Sequence, residues 1–380
     1  MTIPHSVSPH WVCDAASLQG MLAAMADATW LALDTEFMRE RTYYPRLCLI
    51  QLATDSASAV IDPLALADLA PLAEFLGRPG LVKIIHAARQ DLEALQCAGI
   101  RLAGPLFDTQ LAAALIGHPD QVSYAWLVEH YCGVTLDKSQ TRTDWSQRPL
   151  SEAQILYAEE DVKHLGRLHQ QLEDTLLAQG KLDWLWEETH PLLAQAAADD
   201  APEDAWRRVK ALSAQSAEVA AIARALAEWR ERQARSADIP RGWLMKDEVL
   251  LEVSRRMPDN VTALARIPGM PAPTLRRYAA EILAILATPQ PVLPTSNASW
   301  RLNKAGQRVL GELQDLIRRQ GEESKVSPTV LATRRDLEQL LLEGMPARLR
   351  SGWRAALVGQ GLGDATAGLE RESLRQPAHG

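Results

Sequence analysis

The stretch TWLALDTEFMRE (29–40) sets Asp34 and Glu36 two residues apart inside an otherwise apolar run. On a β-strand that spacing puts both carboxylates on one face, and leaving either buried and unpaired is costly. KIIHAARQDLEALQ (83–96) sets Asp91 at the opening of a helix behind an apolar strand, and LSEAQILYAEEDVKHLGRLHQQL (150–172) sets Tyr157 and Asp161 four apart, on one helix face. Taken singly, each has an ordinary account: a chance Asp-x-Glu, an acid complementing a helix dipole, a tyrosine bonded to a surface carboxylate. Taken together, Asp34, Glu36, Asp91 and Asp161 are four acids from three elements, and four converging carboxylates repel one another strongly. An all-oxygen ligand set suits hard divalent ions such as Mg²⁺ or Mn²⁺. Two such ions activate water and stabilise the leaving oxygen in phosphodiester cleavage. Tyr157, one helical turn from Asp161, then stands where a hydroxyl could orient the attacking water.

The elements that must hold these residues are legible from periodicity. Apolar runs at WLALDTEF, RLCLIQLAT, AVIDP and LVKIIHAA predict strands, the first three close enough in sequence for an antiparallel meander. LADLAPLAEFL, ARQDLEALQCAG and DTQLAAALIG predict helices packed on that sheet, and Ser151 with Glu152 and Gln154 predicts the start of another. After residue 195 the chain reads as helix with no convincing strand. An acidic, Ala-rich loop at 192–206 and an uncharged, proline-rich one at 287–299 divide it into 1–195, 200–288 and 298–370. Residues 228–253 are echoed by 315–340, which reads as a duplicated helical module.

Composition narrows the setting. No apolar run is long enough for a membrane span, and the N-terminus lacks the pattern of a signal peptide. Cys13, Cys48, Cys97 and Cys132 are scattered and predict free thiols in a reducing, cytoplasmic compartment. Residues 1–190 carry 13 Lys+Arg against 25 Asp+Glu, whereas residues 191–380 carry 27 against 23, so the front is acidic and the back mildly basic.

ALDTEF, HAARQDLEAL, FDTQLAA and YAEEDV resemble, in order and spacing, the three exonuclease motifs of the DEDD superfamily in its tyrosine subgroup. RTYYPRLCLIQLAT and the 27-residue run LDKSQTRTDWSQRPLSEAQILYAEEDV resemble the ribonuclease D family specifically. AWRRVK (205–210), the segment 226–258 and LARIPGM (264–270) are similar to the HRDC module, of which ribonuclease D proteins often carry two; the copy after 298 has lost PRGW and Ile-Pro-Gly. The resemblance implies an α/β ribonuclease H-like exonuclease domain followed by two all-α HRDC-type modules, the second degenerate. It implies two divalent metals held by Asp34, Glu36, Asp91 and Asp161, with Tyr157 orienting water, and 3′→5′ hydrolysis releasing nucleoside monophosphates. The expected partner is RNA, as tRNA precursors or other structured small RNAs. No organic cofactor or membrane is expected, and the chain is expected to be a monomer. Two other readings stay open: the same chemistry on DNA, and an RNA-binding or scaffolding factor acting through its helical modules.

Several residues carry two accounts each. Arg207, Arg208, Lys210, Arg230, Arg232, Arg235 and Arg241 are either solvated surface or contacts to a nucleic-acid backbone. Trp206, Trp229 and Trp243 are expected in the bundle core. Lys138, Arg142, Trp145 and Arg148 either hold the scissile strand or pack a long loop. His86 is expected to support the site without acting as a base, and Gln51 and Asp108 have no assigned role.

Overall fold

The computed structural model describes residues 10–137, 143–197, 201–212, 215–291 and 300–377. Contacts divide the chain into two units: Met1–Met38, Pro45–Ala198 and Gln307–Glu370 form the first, and Arg39–Tyr44, Asp199–Gly306 and Arg371–Gly380 the second. Lys138 and Arg142 lie outside the described residues.

The first unit is built on six strands: β1 (His10–Val12), β2 (Trp30–Met38), β3 (Arg46–Ala53), β4 (Ser58–Ile61), β5 (Val82–Ile85) and β6 (Leu106–Asp108), in the order β1-β4-β3-β2-β5-β6. β2, β3 and β4 pair antiparallel as expected, and β1, β5 and β6 join in parallel. β1 and β6 were not expected; at three residues each they are too short to display an alternating pattern. β3 is buried from Leu47 to Ala53, which explains why it reads as a continuous apolar run.

Helices cover both faces: α1 (Ala15–Ala24), α2 (Ala70–Leu76), α3 (Arg89–Cys97), α4 (Thr109–Leu115), α5 (Tyr124–Cys132), α6 (Glu152–Lys163), α7 (Leu165–Ala178) and α8 (Leu182–Ala197). On one face Leu31, Leu33, Ile50 and Leu52 pack with Leu18, Leu72, Leu92 and Leu95 from α1, α2 and α3. On the other, Leu49 and Val60 pack with Trp145, Leu150 and Ala158, under α6. The expected start of α6 is a capping box, with Ser151 accepting from the Gln154 N–H and Gln154 reaching back to the Ser151 N–H.

The second unit holds α9 (Ala217–Ser236), α10 (Arg241–Leu244), α11 (Asp247–Arg256), α12 (Val261–Ala265) and α13 (Ala272–Ala287) around one core. It also contains an unexpected antiparallel pair, β7 (Trp300–Leu302) and β8 (Arg375–Pro377), again three residues each. Trp229 is buried and Trp206 packs at the core margin, but Trp243 is 55% exposed. α10 is a single turn, and its inward side is taken by Leu244 and Met245. The side chain of Arg230 is also reassigned. It is 1% exposed, donates to the Met245 carbonyl at 2.7 Å and pairs with Asp247 at 2.9 Å, so it cannot reach a phosphate. Arg208 and Arg235 flank the buried Glu231. Arg207 and Arg232 form surface pairs with Asp204 and Glu228, while Lys210 is exposed.

Within the expected third module, residues 307–370 are largely helical and cluster with the first unit, whereas residues 300–306, including β7, fall in the second. α14 (Lys304–Ser324) and α15 (Pro328–Leu331) flank Lys325 and Ser327. Lys181 Nζ donates to the carbonyls of Leu115 and Lys325, both at 2.9 Å, and the Ser327 N–H donates to the Ala114 carbonyl at 2.8 Å. Glu188 of α8 accepts from both terminal nitrogens of Arg354 and from Trp353 Nε1, and Trp353 stacks on Trp184 at 4.9 Å. Arg354 is buried, so truncating Glu188 strands its charge. Glu188→Ala should cost about 3 kcal/mol of stability in urea unfolding; an unchanged midpoint would show that this pair does not hold the segment.

Candidate active site

β2 and α6 bring three of the four acids together. Carboxylate oxygens of Asp34, Glu36 and Asp161 lie within 4.8 Å of one another. The even-numbered positions of β2 face α6, and a register shift between Glu36 and Phe37 bends the strand just past the second acid. Tyr157 donates a hydrogen bond to Asp161, as their four-residue spacing predicts, and its ring lies 6.0 Å from that of Trp145.

Asp91 is outside that triplet. It lies in the first turn of α3, which packs against the opposite face, and it accepts a 2.6 Å hydrogen bond from the hydroxyl of Thr35, the residue between the two strand acids. Its charge still acts on Asp34, Glu36 and Asp161. The alternation of β2 therefore sends two acids one way and a hydroxyl toward a further acid the other way.

All four carboxyl groups hold their protons more tightly than usual. Burial is the largest cause in each case; repulsion within the cluster adds to it at Asp34, Glu36 and Asp161, and at Asp91 the nearby charge of Asp108 does, against the lowering effect of the Thr35 hydrogen bond. Glu36 is pushed up to about 8, Asp91 and Asp161 to about 7, and Asp34 well above its ordinary range. No Lys or Arg among the described residues offsets Glu36 or Asp161, and none is among the main influences on Asp34 and Asp91. An all-carboxylate set with this separation and no internal cation fits a hard divalent ion.

The metal-free protein should show this in its pH dependence. A carboxyl whose folded pKa is raised binds protons in the native state where the unfolded chain has lost them, so its stabilising contribution falls as pH rises through the folded value. Glu36→Gln removes one such group. In EDTA the variant's thermal midpoint should gain on the parent's between about pH 5 and about pH 8. A pH-independent gap would contradict the partly buried cluster of mutually repelling acids.

The surrounding residues hold this geometry. Asp108, buried at the end of β6, caps α4 by accepting from the Gln110 and Leu111 N–H groups. It also accepts from the N–H groups of Ala87 and Ala88, the turn leading into α3 and so to Asp91. His86 Nδ1 is 2.9 Å from the Thr109 hydroxyl, and burial lowers its pKa, in keeping with a supporting role. Arg148 is committed to the loop: it forms two bonds to Asp62, at 2.6 and 2.7 Å, and donates to the carbonyls of Trp145, Gln147 and Cys48. With Trp145 buried as well, packing is the account that applies to these two residues.

Tyr124 gave no sequence signal, because its partners are 36 and 40 residues away. Its hydroxyl donates to the Glu160 carbonyl at 2.9 Å and accepts from the His164 N–H at 3.3 Å, pinning the break between α6 and α7 beside Asp161. Gln51 pairs directly with Asp34 across β2 and β3.

A sequence model of the family described as "3'-5' exonuclease" matches residues 9–177, and the HRDC domain matches 219–286. The chain is 38% identical over 358 residues to ribonuclease D of Gluconacetobacter diazotrophicus, covering 92% of this chain and 91% of that one. It is 39% identical over 362 residues to ribonuclease D of Xanthomonas oryzae pv. oryzae, covering 93% and 97%. Among solved structures it resembles Escherichia coli RNase D, described as an exoribonuclease involved in structured RNA processing, with a TM-score of 0.86, 33% identity and coverage of 95% and 99%. It also resembles the catalytic core of RRP6 from Trypanosoma brucei, with a TM-score of 0.58, 25% identity and coverage of 73% and 78%. No helix among the described residues is long and apolar enough to cross a membrane.

Proposed function

The chain belongs to the ribonuclease D family, and on that premise we propose that it shortens RNA from the 3′ end by metal-dependent hydrolysis, releasing nucleoside 5′-monophosphates. The observation that carries the reading is the convergence of Asp34, Glu36 and Asp161 on the α6 face of the sheet, with Tyr157 bonded to Asp161.

In this reading Asp34, Glu36, Asp91 and Asp161 hold two divalent ions, Mg²⁺ or Mn²⁺, which supply the positive charge that makes a nucleophile of water and offsets the leaving oxygen. The rest of the work falls to side chains. Asp34 and Glu36 sit within the β2–β3 ladder, opposite Gln51 and Leu49, so their spacing does not depend on a loop. Thr35 holds one oxygen of Asp91 and so orients that carboxylate. Tyr157 needs no metal bond; its hydroxyl, steered by Asp161, is suited to fixing the direction of the attacking water.

The substrate class proposed is tRNA precursors or other structured small RNAs, handled by a monomer. The segments 1–195, 200–288 and 298–370 are read as the exonuclease domain, an HRDC domain and a degenerate second copy. Of the seven cations singled out in the sequence, exposed Lys210 and half-exposed Arg241 take no part in the ion pairs that engage the other five, and they are proposed to meet phosphates. The four cysteines are free thiols, in keeping with a reducing compartment, and we place the reaction in the cytoplasm. The test is a competition in Mg²⁺ among a tRNA precursor with a short 3′ extension, unstructured RNA of equal length, and DNA of matched sequence. Trimming of the precursor to its mature end ahead of both competitors is expected; faster loss of DNA would move the chain to DNA processing.

A further inference from the structure

One buried polar group beside the acids is left without a task. Gln51 is fully buried on β3, and neither its amide nitrogen nor its amide oxygen has a hydrogen-bond partner among the described residues. Its register is informative, because it lies opposite Asp34 on β2 and opposite Val60 on β4. Residues opposed across an antiparallel pair project to the same face with their side chains close together. Leu49, two residues earlier on the same strand, and Val60 pack with Ala158 under α6, so Gln51 faces α6 as well. The amide thus shares a face with Asp34, Glu36, Tyr157 and Asp161, while its sheet neighbours Leu49 and Val60 offer no polar side chain.

An unmet buried amide is destabilising, and an apolar side chain of similar size escapes that cost. Neighbouring β3 positions are filled by Leu49, Ile50 and Leu52 without difficulty. A glutamine at this place therefore points to a task that packing does not supply.

We infer that Gln51 is a positioning residue for Asp34, its amide N–H groups holding the carboxylate in the orientation that the metal-loaded site requires. The inference rests on the metal-dependent reading of the acidic cluster. A carboxylate engaged by a cation keeps lone pairs free, and a neighbouring amide donor fixes which oxygen faces the cation. Mutation of such a partner characteristically weakens metal affinity as well as rate.

The test compares the parent with Gln51→Leu and Gln51→Met, using Mn²⁺ as the probe on the full chain. In EDTA both variants should melt at or above the parent's temperature, since the unmet amide is gone. The Mn²⁺ concentration giving half of the thermal shift should rise about tenfold, and kcat on a short RNA should fall about tenfold with KM within about twofold. Unchanged Mn²⁺ dependence and unchanged kcat would overturn the inference. So would both variants melting below the parent in EDTA, because the amide would then be satisfied in the metal-free protein and its role would be packing. If the parent itself shows no Mn²⁺-induced shift, the metal-dependent reading fails before the role of Gln51 arises.

Discussion

Asp161→Asn should lower kcat for RNA cleavage by about a thousandfold while raising the thermal midpoint of the metal-free protein. The two halves of this result have one cause. Asp161 sits with Asp34 and Glu36 inside a 4.8 Å triplet, half-buried and offset by no described Lys or Arg, so in the absence of metal its charge is a liability. Asparagine keeps the shape, removes the repulsion and forfeits the anionic ligand. Asp34→Asn should behave in the same way, since burial and the charges of Asp91, Asp161 and Glu36 all disfavour its ionised form. Single-turnover rates at saturating Mg²⁺, with melting curves in EDTA, check both halves. A variant that keeps full activity, or that loses activity because it unfolds, would contradict the assignment.

Tyr157→Phe should lower kcat by about a hundredfold and leave RNA affinity and fold intact. The phenyl ring retains the packing against Trp145, so only the hydroxyl and its bond to Asp161 are removed. Equilibrium RNA binding in Ca²⁺ beside single-turnover cleavage in Mg²⁺ separates the two effects. A loss that appears in affinity and not in rate would make Tyr157 a substrate contact instead of a group orienting water.

Much of this was readable before the structure, and for definite reasons. Two acids at i and i+2 in an apolar strand can only share a face, and Tyr157 and Asp161 at i and i+4 can only share a helix side. Local geometry determined both statements, and both hold in the folded chain. What sequence did not reveal depends on contacts far apart in the chain. Thr35 is one more apolar-side residue until α3 brings Asp91 to its hydroxyl, and Tyr124 is an ordinary helix residue until α6 ends against it. Arg148 and Arg230 read as available cations because nothing nearby in sequence marks Asp62 or Asp247 as their partners. Trp243 failed for the opposite reason: its large apolar side chain predicts burial, but a one-turn helix has too little inward surface for it. The three-residue strands escaped notice because two alternations are needed before a pattern exists.

The most direct measurement is a time course on 5′-labelled single-stranded RNA with the purified chain, first in EDTA and then after excess Mg²⁺ is added. The account predicts intact RNA in EDTA. After Mg²⁺ it predicts a ladder shortening one nucleotide at a time from the 3′ end, with nucleoside 5′-monophosphates as the released product. Cleavage that proceeds in EDTA, a single internal cut, or RNA that stays bound and intact in Mg²⁺ would contradict it.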